Sequence, residues 1–132
     1  MHIKRLDHVG IRVMDFDRST HFYQQLGFEV VREHLEEHVV VIKHPSGIEL
    51  NLLNSGNDDL DGKNILMDVD PQYPGYTHFA LQVASVIEAK RFLESLNITI
   101  TEGPVRSGDN KTSIFVRDPD RNVIEFTELP QA

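Results

Sequence analysis

The chain carries two hydrophobic rhythms that alternate along its length. In residues 3–13, Val9, Ile11 and Val13 interleave with His8, Gly10 and Arg12, a period of two that predicts a strand. Residues 16–26 switch to helical spacing, with Phe22, Tyr23 and Leu26 on one face, Asp15 or Asp17 near the N-cap and Gly27 as the stop. Period-two stretches return at about 28–34, 38–44 and 48–54. The order then repeats: a strand at 77–83, a helix at 85–96 with Val86, Ala89, Phe92, Leu93 and Leu96 on its apolar face, and strands near 98–102, 112–118 and 122–128. Each unit reads as strand, helix and three strands, so the fold class is α+β, built from two βαβββ modules.

The repeat is also visible residue by residue. Asp7-His8-Val9-Gly10-Ile11-Arg12-Val13 aligns with Thr77-His78-Phe79-Ala80-Leu81-Gln82-Val83, 70 positions later. Further on, Pro45-Ser46-Gly47-Ile48-Glu49-Leu50 resembles the stretch from Pro119 to Phe126, with Glu49 matching Glu125 at an offset of 76. That match places inserted residues in the stretch Arg106–Lys111 or in the turn after Pro119. A single domain spanning 1–132 is expected, with module one at about 1–54, a linker at 55–76 and module two at about 77–132. The linker is rich in Asp, Asn, Gly and Pro, with a short strand or turn expected at Ile65–Val69. Asn57-Asp58-Asp59-Leu60-Asp61-Gly62, with Asp68, partly fits calcium-loop spacing. It lacks flanking amphipathic helices and reads as an acidic linker.

Strand alternation gives a chemical result. If the apolar residues face the helices, then His8, Glu49, His78 and Glu125 all point to the opposite face. Taken singly, such residues are as often surface or core positions as ligands. Two histidines and two glutamates recurring with matching parity form a plausible set for one divalent metal ion. Composition narrows the chemistry. There are no cysteines and seven histidines, so a metal centre must be built from imidazole and carboxylate, which suits Ni, Zn, Co, Mn or Fe. The net charge of −8 argues against nucleic acid and against an anionic membrane surface as partner. The linker's five Asp against one Lys supply half of that charge, so the total says little about a substrate. No apolar run is long enough to span a bilayer, and the N-terminus lacks a signal core, so a cytoplasmic location is expected.

Asp7-His8-Val9, Gly47-Ile48-Glu49-Leu50, His78-Phe79-Ala80-Leu81 and Asp118-Pro119-Asp120 with Ile124-Glu125 resemble the vicinal oxygen chelate superfamily of glyoxalases, bleomycin-resistance proteins and extradiol dioxygenases. The resemblance covers essentially the whole chain. It implies paired modules forming a cup-shaped mixed sheet around a metal site. It also implies a homodimer in which His8 and Glu49 come from one chain and His78 and Glu125 from the other. Within the superfamily the four-ligand set is most similar to bacterial lactoylglutathione lyase (glyoxalase I). That likeness implies a metal-dependent lyase or isomerase acting by proton transfer through a metal-stabilised enediolate, on a small molecule such as a glutathione hemithioacetal. Glu125 and Glu49 are then the catalytic carboxylates, with Glu125 moving the proton. Arg12 lies where the family places an arginine for the glutathione carboxylate. Leu53, flanked by Asn51 and Asn54, stands where the bacterial enzymes carry an asparagine, and Arg106 and Lys111 are available for an anionic tail. Arg12, Asn51, Arg106 and Lys111 are the substrate-binding candidates. The same scaffold serves epimerases, which usually have glutamine in place of Glu49, and Fe(II) extradiol dioxygenases, which use two histidines and one glutamate. It also serves drug-binding proteins of the bleomycin-resistance type, which have neither metal nor catalysis.

Overall fold

A computed structural model describes residues 1–131. Module one contains β1 (Val9–Arg12), α1 (Phe16–Gln25), β2 (Glu29–His34), a 3-10 turn at Leu35–Glu37, β3 (Val39–Lys43) and β4 (Glu49–Leu53). Module two contains β5 (His78–Gln82), α2 (Val86–Ser95), β6 (Glu102–Arg106), β7 (Thr112–Arg117) and β8 (Val123–Glu128). Each module is a four-stranded mixed sheet with the same strand order, β1-β4-β3-β2 and β5-β8-β7-β6. The outer pair, β1 with β4 or β5 with β8, is parallel and the remaining pairs are antiparallel. The class is therefore α+β. The chain separates into two compact units, Met1–Asp59 and a second beginning at Leu60. Among the described residues no helix is long and apolar enough to cross a membrane.

Both helices start on a capping side chain. The Asp15 carboxylate accepts from the amides of Asp17 and Arg18, and the Ser85 hydroxyl accepts from the amide of Glu88. Beneath α1, Tyr23 and Phe28 are fully buried and meet edge to face, with centroids 5.9 Å apart. Val13, Ile42, Leu50 and Leu52 complete that core. In module two the core is Val86, Leu93, Ile98, Ile114, Val116, Ile124 and Phe126.

Several expectations from sequence need correction. The first strand is shorter than 3–13. β1 begins at Val9, opposite Leu50, and β4 begins at Glu49, so residues before His8 have no strand to pair with. Ile3 and Leu6 are correspondingly exposed. The strand expected at 98–102 lies at Glu102–Arg106. Ile98 is drawn into the core at the end of α2, its amide bonded to the Leu93 carbonyl, as the Phe28 amide is to Tyr23. Phe92, expected on the buried face of α2, is 51% exposed, whereas its repeat partner Phe22 is 8% exposed.

The most consequential correction concerns the repeat. Val13 N–H donates to the Leu53 carbonyl, and Val83 N–H donates to the Thr127 carbonyl. Val13 and Val83 are 70 apart, but Leu53 and Thr127 are 74 apart. The turns agree: His44 bonds Ile48 as Asp118 bonds Asn122, and Gly47 bonds His44 as Arg121 bonds Asp118. Lys43 pairs with Glu49 as Arg117 pairs with Val123. Glu49 is thus the counterpart of Val123, and Asn51 is the counterpart of Glu125. The offset of 76 was two residues too long. The inserted residues all lie between Ile98 and Ser113, and none lies in the turn after Pro119.

The acidic segment is not a free linker. Asp68 makes a two-pronged pair with Arg117, both N···O distances 3.0 Å, and the Asn64 side-chain amide donates to the Arg121 carbonyl. Residues 64–68 thus form a strap tied to the end of β7, with a turn at 65–67. This ion pair holds the Asp68 carboxyl below its ordinary range, chiefly through the hydrogen bond from Arg117.

Candidate metal and substrate site

In each module one face of the sheet packs against its helix and the other carries the polar candidates. Strand register assigns them. Gly10 and Asn51 are side by side, as are Val41 and Asn51, so Glu49, Asn51 and Leu53 share the face away from the Leu50–Leu52 core. His8 lies immediately before β1, with the parity of Gly10. In module two, Ala80 and Phe115 flank Glu125, and His78 shares their face.

Module one gathers three ligand-type groups. Donor atoms of Asp7, His8 and Glu49 lie within 4.8 Å of one another. His8 Nδ1 is 2.8 Å from the Asp7 carboxylate. A carboxylate only accepts, so Nδ1 carries the hydrogen and the Nε2 lone pair remains available. This hydrogen bond lowers the Asp7 pKa. A ring nitrogen held by a neighbouring carboxylate while the other stays open is the usual preparation of a metal-binding imidazole.

Module two holds its imidazole differently. His78 Nε2 is 3.0 Å from Glu125 Oε1, and Nδ1 is 2.9 Å from the Thr77 hydroxyl. Thr77 is the repeat counterpart of Asp7, so the residue before the histidine grips Nδ1 in both modules. The Phe115 ring stands edge-on to His78, centroids 5.9 Å apart. The Glu125 side chain is 17% exposed, and its second oxygen accepts from the Ser113 hydroxyl at 2.7 Å. In Glu125's place, module one has Asn51, whose buried Oδ1 has no hydrogen-bond partner among the described residues. The donor set of oxygen and imidazole suits a divalent ion, and an orphaned buried acceptor on the same face is consistent with an added ligand.

The other candidates scatter. The Arg12 Nε donates to the Ser55 hydroxyl at 3.0 Å on the His8 face. Arg106 pairs with Thr112, which pairs with Glu128, so it sits on the opposite face from Glu125. Lys111 lies in the turn before β7 and meets Asp109 at 3.5 Å. Sequence reasoning gave no role to Asp7, Thr77, Ser113 or Thr127. The signal was there: Thr127 is two residues from Glu125, on the same strand face, and Asp7 and Thr77 precede the two histidines.

Residues 5–126 match the family described as the Glyoxalase/Bleomycin resistance protein/Dioxygenase superfamily. The chain is 31% identical over 134 aligned positions to the glyoxalase domain-containing protein RDO1 of Mycosarcoma maydis, covering 98% of this chain and 71% of that protein. Among solved structures it resembles the glyoxalase family protein from Enterococcus faecalis, with 25% identity, a TM-score of 0.76 and coverage of 97% and 100% of the two chains. It also resembles lactoylglutathione lyase from Agrobacterium tumefaciens, with 24% identity, a TM-score of 0.70 and coverage of 96% and 94%, a likeness of fold alone. Two modules of one strand order, each with a histidine and a glutamate on its helix-free face, agree with the match along the sequence: this chain belongs to the glyoxalase/bleomycin-resistance/dioxygenase superfamily.

Proposed function

We propose that the protein is a metal-dependent enzyme of this superfamily, a lyase or isomerase that moves a proton between neighbouring carbons of a small substrate bearing adjacent oxygens. A glutathione hemithioacetal is the substrate to test first. The observation carrying this reading is the pairing of imidazole with carboxylate in both modules, His78 with Glu125 at 3.0 Å and His8 within the Asp7–Glu49 cluster. His8, Glu49, His78 and Glu125 are the proposed ligands of one divalent ion per site. A homodimer would build each site from His8 and Glu49 of one chain and His78 and Glu125 of the other. When bound, the ion supplies Lewis-acid charge to the substrate's oxygens. Glu125 takes up and returns the migrating proton, held near His78 and Ser113 so that little reorganisation is needed. Glu49 serves the opposite side of the substrate, and Arg12 receives an anionic group.

The test is metal content by elemental analysis of the dialysed protein, light scattering for the dimer, and turnover of methylglyoxal plus glutathione after loading with Ni, Zn, Co and Mn in turn. One ion per chain and turnover with at least one metal are expected. A metal-free protein that still binds an aromatic ligand would place it instead with the drug-binding members. A second reading follows from Asn51 standing in Glu125's place. If Glu49 is not a ligand, the protein supplies two histidines and one glutamate, the set used with Fe(II) by extradiol dioxygenases. Glu49→Gln decides between them: weaker binding of the ion supports four ligands, and unchanged binding with Fe(II)-dependent catechol cleavage supports three.

A further inference from the structure

Ser113 and Thr127 are buried, 6% and 8% exposed, on the same face as Glu125. Ser113 Oγ is 2.7 Å from Glu125 Oε2 and 3.0 Å from Thr127 Oγ1. A serine hydroxyl has one hydrogen and a carboxylate has none to give. The Ser113 hydrogen therefore goes to Glu125, the shorter and charge-assisted contact, and Thr127 must donate to Ser113. The three groups form a directed chain from Thr127 through Ser113 to Glu125. The backbone reinforces it. Gly103, in the bulge of β6, has φ +98°, and a Cβ there would lie 2.5 Å from the Ser113 carbonyl oxygen, so only glycine lets β6 close over this residue.

The first module has no such chain. Val39 pairs with Leu53 as Ser113 pairs with Thr127, so two apolar side chains replace the two hydroxyls. Next to Leu53 on the same strand face stands Asn51, with its unpartnered oxygen, in place of Glu125.

We infer that Ser113, with Thr127 behind it, is the positioning device of the site: it clamps Glu125 Oε2 and turns Oε1 alone toward His78, so that Glu125 offers one oxygen and a fixed direction to a divalent ion. This rests on the reading of Glu125 as a ligand. Neither hydroxyl touches the ion or the substrate; both act through Glu125. Partners of this kind commonly set metal affinity by about 10- to 100-fold.

The experiment is titration of the apo full-length protein with Co(II) alone, followed by calorimetry and by the visible absorption of the bound ion. The set comprises wild type, Glu125→Gln, Ser113→Ala, Ser113→Thr and Thr127→Val. Wild type binds one ion. Ser113→Ala weakens binding at least about tenfold and alters the band pattern, because Oε2 is released. Ser113→Thr keeps the hydroxyl and stays within about threefold of wild type by the same measure. Thr127→Val falls between them. Thermal melts of the apo forms identify any variant that fails to fold, and Thr127→Val then carries the comparison. Glu125→Gln without the ion, alongside Ser113→Ala and Thr127→Val with wild-type affinity and spectrum, overturns the positioning role and leaves the ligand reading intact. A wild type that binds no ion overturns both.

Discussion

Modules one and two share strand order, capping turns and the grip on each histidine's Nδ1, yet they hold their polar groups in different ways. Module two fixes a carboxylate between an imidazole and a chain of two hydroxyls. Module one puts an amide at that position, has the apolar pair Val39 and Leu53 where module two has its hydroxyls, and gathers its carboxylates, Asp7 and Glu49, around His8 instead. In the neutral rings the hydrogens also differ: on Nδ1 in His8, facing Asp7, and on Nε2 in His78, facing Glu125. The duplicated unit keeps the apolar core and the turns. It varies the residues that face away from the helix, outside the apolar core beneath each helix. One module holds its carboxylate still, and the other gathers an exposed Asp7 and a half-buried Glu49 around His8.

This contrast can be broken by experiment. The largest effect is expected at the carboxylates. Glu125→Gln should weaken divalent-ion binding by about 100-fold or more, and Glu49→Gln by about tenfold, because only Glu125 is fixed by neighbours. Dialysis followed by metal analysis reads the difference, and equal losses would erase the asymmetry. Next come the helices. Phe22→Ala should cost about 3 kcal/mol, whereas Phe92→Ala at the equivalent but exposed position should cost less than about 1 kcal/mol. Urea midpoints compare them, and a large loss at Phe92 would mean that a partner covers it.

A smaller effect belongs to the strap. Asp68→Asn should cost about 2 kcal/mol by removing a charged partner of Arg117. The pH dependence has a definite sign. Asp68's folded pKa is lowered, so its contribution is complete above the ordinary value of 3.8 and is lost as pH falls through the lower folded value. Hydrogen exchange at the Leu66 and Asp68 amides should rise there before exchange in β4 does. The smallest effect is a gain. Asn51→Leu removes an unpaired buried oxygen and should stabilise the apo protein by about 1 kcal/mol, raising Tm by about 4 °C. A lower Tm would show that Asn51 has a structural partner.

The fold was legible because its determinants are local and periodic. Capping residues Asp15 and Ser85, and the alternation in β4, β5 and β8, state their elements directly. β6 was displaced because Ile98 and Ile100 alternate like a strand. Ile98 instead fills the gap at the end of α2, a tertiary demand that overrides period. Parity also placed Glu49 and Glu125 on their faces. It could not fix how far along the strand each one lies, since a shift of two residues preserves every facing. The match of Glu49 to Glu125 rested on the identity of two glutamates, and only hydrogen-bonded turns reveal that Asn51 is the true counterpart. The hydroxyl chain was hidden for another reason: Ser113 and Thr127 become neighbours through strand pairing, not through sequence.

The two-residue displacement of the glutamate has a consequence for how such proteins diversify. A pleated strand repeats its outward direction every second residue, about 6.6 Å apart. Reactive groups can therefore climb from one rung to the next while the inward rungs, which carry the folding information, stay as they are. A duplicated module of this kind can explore new ligand spacings by point substitution alone, with no rearrangement of its backbone, so one scaffold can host many reactions.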